Sequence, residues 1–535
     1  MAYVITQNCC KDASCVSACP VDCIRPADPD SEPGTQMLYI DPETCIDCGA
    51  CVDECPVEAI YSEFDLPPEL ERFRDMNAEY FRRHPLEPGP LEPVAARRPV
   101  APGALRVAVV GAGPAACYAA TELLDSGAEV DLFERLPTPF GLIRAGVAPD
   151  HQRTKSVVRI FDKAFADSRF GCHLNVEIGR DLTHADLLAH HHAVIYAVGA
   201  SASRDLDIPG ADLPGHHAAA DFVGWYNGHP DHAGREFDLS SPRVVVIGNG
   251  NVALDVARVL LMPPDALAAT DIADHALRAL SESRVEEVVV LGRRGPRDAA
   301  FSVGEFHALG HLPGIDVVID GGDLDPHPDD DVETALKLEI AREFAARPTT
   351  PGNKRIVFRF SASPAEFTGE GRVQGLTVTQ STENNGATTE TIDTSLVLRS
   401  IGYRGLPLDG LPYNPSTGTI PHEHGRVIDG AGTPIPGVYV TGWIKRGPRG
   451  VIGTNRSCAA ETVTSLLTDF TTGTLNREVG TREALRTTMS DSGLHPLDWP
   501  AWRAIDTAER DLGTAAARPR VKFVSIDEML AVARG

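Results

Sequence analysis

Cys45-x2-Cys48-x2-Cys51-x3-Cys55, followed at once by Pro56, sets four thiols on a short stretch of chain. Thiolates crowded in this way bind a soft metal centre. The spacing also occurs 36 residues earlier as Cys9-x2-Asp12-x2-Cys15-x3-Cys19-Pro20, with a carboxylate where the second cysteine belongs. At that constant offset residues 3–24 superimpose on 39–60, Tyr3 falling on Tyr39, Val21 on Val57 and Ile24 on Ile60. Nine of the twelve cysteines precede residue 56, a clustering that points to metal rather than to disulfides. Zinc needs only four ligands and explains neither the prolines nor the paired copies.

The second copy matches the bacterial ferredoxin run, in which three close thiolates hold one iron-sulfur cluster and the fourth cysteine serves the other. Carried over by that resemblance, Cys45, Cys48 and Cys51 join Cys19 around a 4Fe-4S cluster, while Cys9, Cys15 and Cys55 remain for a second one. Resemblance to seven-iron ferredoxins makes the second cluster 3Fe-4S. The alternative is a 4Fe-4S cube completed by an oxygen of Asp12. Cys10 aligns with Ile46 and Cys23 with Ala59, so both are read as packed thiols, with Cys10 a substitute ligand if its loop bends.

A different chemistry begins at residue 105. Residues 105–110 form an apolar strand, Gly111-Ala-Gly113 a turn, and Pro114, Ala115 and Ala116 open a helix. The next strand ends in Glu134, 23 residues beyond Gly111. Such a turn lets backbone approach a pyrophosphate at a helix N-terminus, and an acid at that distance accepts ribose hydroxyls. Alone, the unit suits either NAD or FAD. The same order returns at residues 243–261, with Gly248-Asn249-Gly250-Asn251-Val252-Ala253 as the turn. There the following strand runs into Leu291-Gly-Arg293-Arg294, placing two guanidinium groups where an NAD enzyme presents a carboxylate. Paired arginines take a 2'-phosphate through charge-assisted hydrogen bonds, so NADPH is expected over NADH.

Pro137-Thr-Pro-Phe-Gly-Leu142-Ile-Arg-Ala-Gly-Val-Ala-Pro-Asp-His151 closely resembles the adrenodoxin reductase family of FAD-containing, NADPH-dependent ferredoxin reductases. So do Asn175-Val-Glu-Ile178-Gly-Arg, Phe222-Val-Gly-Trp-Tyr-Asn, Gly248 to Arg258, and Gly442-Trp443-Ile-Lys-Arg-Gly-Pro-Arg-Gly450-Val451-Ile452. The likeness runs from residue 105 to the C-terminus, weakest over 320–385. It implies that Ala115, Glu134, Leu142, Ile178, Trp443, Gly450, Val451 and Ile452 contact FAD, with His151 and Glu305 a charged pair near the nicotinamide. The flavin performs the hydride chemistry, so no protein acid or base is strictly required.

The elements that must position these groups make a multidomain chain, because 535 residues exceed one hydrophobic core. The expected organisation is an α+β ferredoxin fold over residues 1–64, a proline-rich linker over 65–104 with a short helix within 69–83, and two α/β Rossmann-like domains. The FAD-binding domain is read as 105–203 with 401–535, and the NADP-binding domain as 204–400. A net charge of −26 excludes nucleic acid and anionic membrane as partners. No apolar run reaches bilayer length, and the N-terminus lacks a secretory pattern, so a cytoplasmic location without membrane insertion is expected.

Residues 1–64 carry twelve acids against Lys11 and Arg25, and Lys445, Arg446 and Arg449 are expected to dock this acidic segment. The reading is an NADPH-dependent ferredoxin reductase that passes electrons from NADPH through FAD to its own clusters, then to a ferredoxin-dependent acceptor such as a haem monooxygenase or another ferredoxin. Two alternatives are an electron-input subunit of a larger synthase or monooxygenase, and a ferredoxin half that serves only as a recruitment tether.

Overall fold

Each copy of the 36-residue repeat contributes a strand, a short helix and a second strand, and the two copies interlock. The computed structural model describes residues 2–26, 36–86, 99–381 and 386–534. Strand Tyr3–Ile5 of the first copy pairs antiparallel with Ile60–Ser62 of the second, while Ile24–Arg25 pairs with Tyr39–Ile40. The copies therefore exchange strand partners. Helices Ser14–Ala18 and Ala50–Asp53 stand 36 residues apart in sequence and pack on each other. In both copies the last cysteine, Cys19 or Cys55, follows the helix and leads toward the strand that pairs with the other copy.

Helix Arg72–Arg83 buries Phe73, Met76, Asn77, Tyr80 and Phe81, the one-sided 3–4 spacing of a packed helix. Asn77 fastens both small sheets. Its side chain accepts from the amides of Ile5 (3.3 Å) and Ile40 (2.8 Å) and donates to the Ile5 carbonyl (2.9 Å). On the other side Arg72 pairs with Glu339 and Glu343 of helix Val332–Ala346. The first part of the expected linker is thus a packed element, because its apolar stripe is covered on the ferredoxin side. Residues 87–98, which hold Pro88, Pro90 and Pro93, lie outside the described residues.

A seven-stranded sheet takes the order His422–Glu423, Arg426–Ile428, Pro434–Val440, Ala193–Tyr196, Arg106–Val110, Glu129–Glu134, Phe170–Leu174. Its last five strands are parallel, and Val107, Ala108 and Val109 are fully buried, as strands covered on both faces must be. A six-stranded, wholly parallel sheet lies between residues 216 and 399: His216–Ala218, Leu396–Arg399, Arg243–Ile247, Glu287–Leu291, Lys354–Arg359, Ile315–Asp320. The first sheet therefore draws on chain from both sides of the second. Strands Ala362–Thr368, Gly375–Ser381 and Ala387–Asp393 add a small antiparallel sheet. Among the described residues no helix is long and apolar enough to cross a membrane.

Candidate functional site

The two glycine turns occupy equivalent places, each between a central parallel strand and the helix after it. Gly111 (φ 102°) and Gly248 (φ 107°) adopt a conformation that disfavours any side chain. A Cβ would lie 2.6 Å from the Ala197 carbonyl oxygen at the first and 2.2 Å from that of Ser400 at the second. At Gly113 a Cβ would meet nothing, so open space lies before helix Pro114–Asp125, where a pyrophosphate needs room.

The Glu134 carboxylate accepts from the amides of Ala112 (2.9 Å) and Leu136 (3.0 Å) and so holds the turn. Burial nevertheless pushes its carboxyl up. Gly442 has no room for a side chain, since a Cβ there would come within 2.6 Å of the Ala115 methyl group. That close approach brings helix Trp443–Arg446 to the same helix N-terminus; in the loop after it Gly450 takes φ 83°, Val451 N–H donates to Thr454 Oγ1 at 3.2 Å and Ile452 packs on the core of the seven-stranded sheet. Trp443 stacks on Tyr403 at 5.8 Å, and Leu142 leaves 47% of its surface exposed. Ile178 packs on the core behind this sheet. Nη1 of Arg446 is buried without a hydrogen-bond partner, an orphan donor at the edge of the pocket expected to hold the flavin. Open space, an acid at the strand end and an unpartnered guanidinium donor fit an FAD.

At the second turn Asn251 accepts from the Ser302 amide (2.7 Å) and donates to Gln36 (3.2 Å), a residue of the N-terminal segment. Asn249 lies against Gly292. Val252 is half-buried on the helix, while Gly250 has only Ala300 near its Cβ position. Arg293 and Arg294 are both exposed, and Arg294 forms a surface pair with Asp298 at 3.2 Å.

His151, just before helix Gln152–Lys155, and Glu305, in helix Val303–Leu309, stand 4.0 Å apart. What sequence reasoning missed is the group that joins them. Arg258 is 5% exposed, bonds His151 Nε2 at 2.9 Å and Asp255 at 2.7 Å, and pairs with Asp150. A guanidinium can only donate, so Nε2 is the accepting atom in this bond. Burial raises the Glu305 carboxyl above its usual range. His151, Asp255 and Glu305 are close enough for a cation, but Arg258 already supplies the positive charge. The sequence signal was an arginine on the otherwise apolar face of helix Asn251–Leu261.

In the N-terminal segment, Cys19, Cys45, Cys48 and Cys51 line one cavity with Cys23 beside them, its sulfur 3.4 Å from that of Cys19. Cys15 lies within electrostatic reach of Cys9 and Cys55. Burial pushes the Cys9 thiol up to about 11 and the Cys51 thiol up to about 12. A bound metal displaces these protons, and what suits thiolate ligation is the convergence of Cys19, Cys45, Cys48 and Cys51 on one cavity. The donor sets thus fit thiolate-bound clusters. Cys10 is buried against the core of the seven-stranded sheet, and its carbonyl accepts from Gly453 N–H at 2.7 Å.

The Asp12 carboxylate faces helix Pro114–Asp125. It accepts from Tyr118 Oη at 2.5 Å, from Ser14 and from Arg456 at 3.4 Å. This corrects the docking role expected of Lys445 and Arg446. Lys445 is 5% exposed and paired with Glu461 at 2.5 Å, because the register of helix Thr454–Thr471 sets that acid against it. Arg446 bonds Asn455 and the Arg449 carbonyl. Arg456 and Arg153 hold the N-terminal segment instead, Arg153 lying 3.7 Å from Glu58 and bonding Tyr61.

The pyridine nucleotide-disulphide oxidoreductase family matches residues 105–284, and the 4Fe-4S binding domain family matches 38–61. A probable ferredoxin/ferredoxin–NADP reductase of Mycobacterium tuberculosis is 50% identical, covering 100% of this chain and 95% of its own. That of Mycobacterium leprae is 47% identical, covering 100% and 98%. The structure of Mycobacterium tuberculosis FprA in complex with NADPH superimposes with a TM-score of 0.76 at 43% identity, over 82% of this chain and all of that one.

Proposed function

The chain belongs to the ferredoxin/ferredoxin–NADP reductase family, and from that membership we propose that it oxidises NADPH and passes the electrons through FAD to iron-sulfur clusters in its own N-terminal segment. It is a flavoprotein oxidoreductase. When bound, FAD accepts a hydride and releases its electrons singly, and each cluster carries one electron at a time. The observation that carries this reading is the contact between loop 9–12 and Gly453. These bring a cysteine set against the loop expected to hold the flavin.

Residues 1–64 act as the ferredoxin, 105–203 with 401–535 as the FAD-binding part and 204–400 as the NADP-binding part. Gly111, Gly113 and Ala115 make room for the FAD pyrophosphate, Glu134 takes the adenosine ribose, and the 442–452 segment closes on the ring. Asn249 to Val252 cradle the NADPH pyrophosphate, and Arg293 and Arg294 take its 2'-phosphate. Arg258 keeps His151 and Glu305 fixed beside the nicotinamide. Cys19, Cys45, Cys48 and Cys51 hold the 4Fe-4S cluster. Cys9, Cys15 and Cys55 hold a 3Fe-4S cluster, a choice favoured because Asp12 is engaged by Tyr118 and Arg456. The acceptor is a one-electron redox protein such as a haem monooxygenase or another ferredoxin. A cytoplasmic location suits so many unpaired thiols.

Deleting residues 1–100 tests the reading, and the FprA match over 82% of the chain indicates that the remainder is a self-sufficient fold. Cytochrome c reduction is expected to fall away while dye reduction persists. Unchanged cytochrome c reduction would reduce the ferredoxin half to a tether.

A further inference from the structure

We propose that the two cysteine sets hold fixed places in the electron path: Cys9, Cys15 and Cys55 are the inlet, latched to the flavin half by Asp12, and Cys19, Cys45, Cys48 and Cys51 are the outlet. The proposal rests on the function argued above and orders its two centres.

The interlocked repeat by itself would make the two sites equivalent, yet their surroundings differ at the position where the copies diverge. The 36-residue offset places Asp12 on Cys48. Cys48 is exposed, whereas Asp12 is 4% exposed and lies against the reductase. Tyr118 of the helix behind the flavin turn bonds one Asp12 oxygen, and Arg456 bonds the Asp12 carbonyl at 2.9 Å. Beside them a Cβ on Gly453 would fall 2.0 Å from the Lys11 carbonyl oxygen, so only glycine lets the two backbones meet there. Cys55 is held close by as well, since Ser156 Oγ donates to the carbonyl of Pro56 at 2.8 Å. Cys9 and Cys55 pack against the core of the seven-stranded sheet.

The second set is oriented the other way. Its cavity is lined wholly by residues of the N-terminal segment. Next to Cys48, Ile46 is 58% exposed and Val52 37%, with Asp47, Asp53 and Glu54 close by in sequence. That apolar centre with acidic neighbours suits an acceptor with a basic rim. The balance is NADPH plus two oxidised one-electron acceptors giving NADP+, a proton and two reduced acceptors, each electron crossing the inlet and then the outlet.

The test uses the full-length, cluster-loaded chain under anaerobic conditions, with Asp12→Asn, Arg456→Gln and the double variant. Iron and sulfide content and the paramagnetic resonance spectrum of the first set are expected to match the parent. Hydrogen exchange at the Gly453 amide should quicken roughly ten-fold, the lower end for losing one hydrogen bond to a charged group. The double variant should be worse than either single, because Arg456 chiefly bonds the Asp12 backbone carbonyl, which Asp12→Asn leaves in place. In the parent, rapid freezing after mixing with NADPH should catch the first-set signal changing before the second. Loss of iron or an altered first-set spectrum in Asp12→Asn, with Gly453 exchange unchanged, would make Asp12 a ligand and overturn the latch. A second-set signal that changes first would overturn the order. If NADPH reduces neither set in the parent, the proposed function fails and the order with it, whereas the latch is judged by exchange alone. Arg456→Gln alters the partly exposed side of the contact, so a folding failure of Asp12→Asn leaves the latch open to refutation.

Discussion

Replacing Arg258 by methionine keeps the volume of the side chain and removes the cation that bonds Asp150, His151 and Asp255 beside Glu305. Arg258 is 7% exposed at its side chain, and Asp150 and Asp255 are 22% and 17% exposed. Breaking a buried pair by removing one partner costs about 3–5 kcal/mol. Because these carboxylates keep some contact with water, the lower end, about 3 kcal/mol, is the expected loss at pH 8. The pH dependence has a definite sign. Burial already raises the Glu305 carboxyl and Arg258 opposes that shift, so its loss raises the folded pKa further. An acid with a raised folded pKa costs nothing below its ordinary value of about 4.3 and its full penalty only above the folded value.

Arg258→Met should therefore be less damaging at pH 5 than at pH 8. A melting-temperature drop of roughly 6–12 °C is expected at pH 8, from about 2–4 °C per kcal/mol for a domain of this size. Adding Glu305→Gln should recover part of it. The assay is thermal unfolding of parent, single and double variants at both pH values. An equal drop at pH 5 and pH 8, or no recovery in the double variant, would refute the electrostatic reasoning and leave only lost packing.

Converting Arg293 and Arg294 to alanine removes charge-assisted bonds worth about 1.5–3 kcal/mol. The KM for NADPH should rise roughly 10- to 100-fold with that for NADH unchanged, and a parallel rise for both in steady-state kinetics would contradict the assignment. Asn77→Ala strands three backbone groups at about 1–3 kcal/mol each. It should lower the denaturant midpoint for bleaching of the iron-sulfur absorbance while leaving that for flavin release in place. Asp131 is 1% exposed; burial alone would raise its carboxyl, but bonds from His173 and His191 and the charge of Arg482 hold it well below the usual range. A depressed acid stabilises the fold above about pH 4 and loses that contribution as pH falls, so Asp131→Asn should be less stable than the parent at pH 7, with the gap narrowing in acid. A gap independent of pH would show that the carboxylate charge is irrelevant.

The sequence by itself determined the local machinery. Cysteine spacing is set by how few residues separate ligands on one loop, so the repeat at offset 36 marked two related cysteine loops. Glycine at 111 and 248 is dictated by backbone conformation and by the carbonyl each turn meets, and Glu134 by its place at a strand end. These requirements are local and leave a mark in residue type. The Arg72–Arg83 helix was legible for the same reason, through its apolar stripe.

Only the tertiary structure decided how the parts face one another. Nothing in the spacing of Lys445 revealed that it is spent on Glu461, since the residues meet through helix packing rather than through a motif. Arg258 looked like one residue of a helix until the fold set Asp150, His151 and Glu305 around it. Asp12 read as a degenerate ligand. That its carboxylate reaches Tyr118, 106 residues away, and Arg456, 444 away, follows from domain packing. Contacts across such separations depend on how whole surfaces pack together, and a chain read in order carries no record of those surfaces.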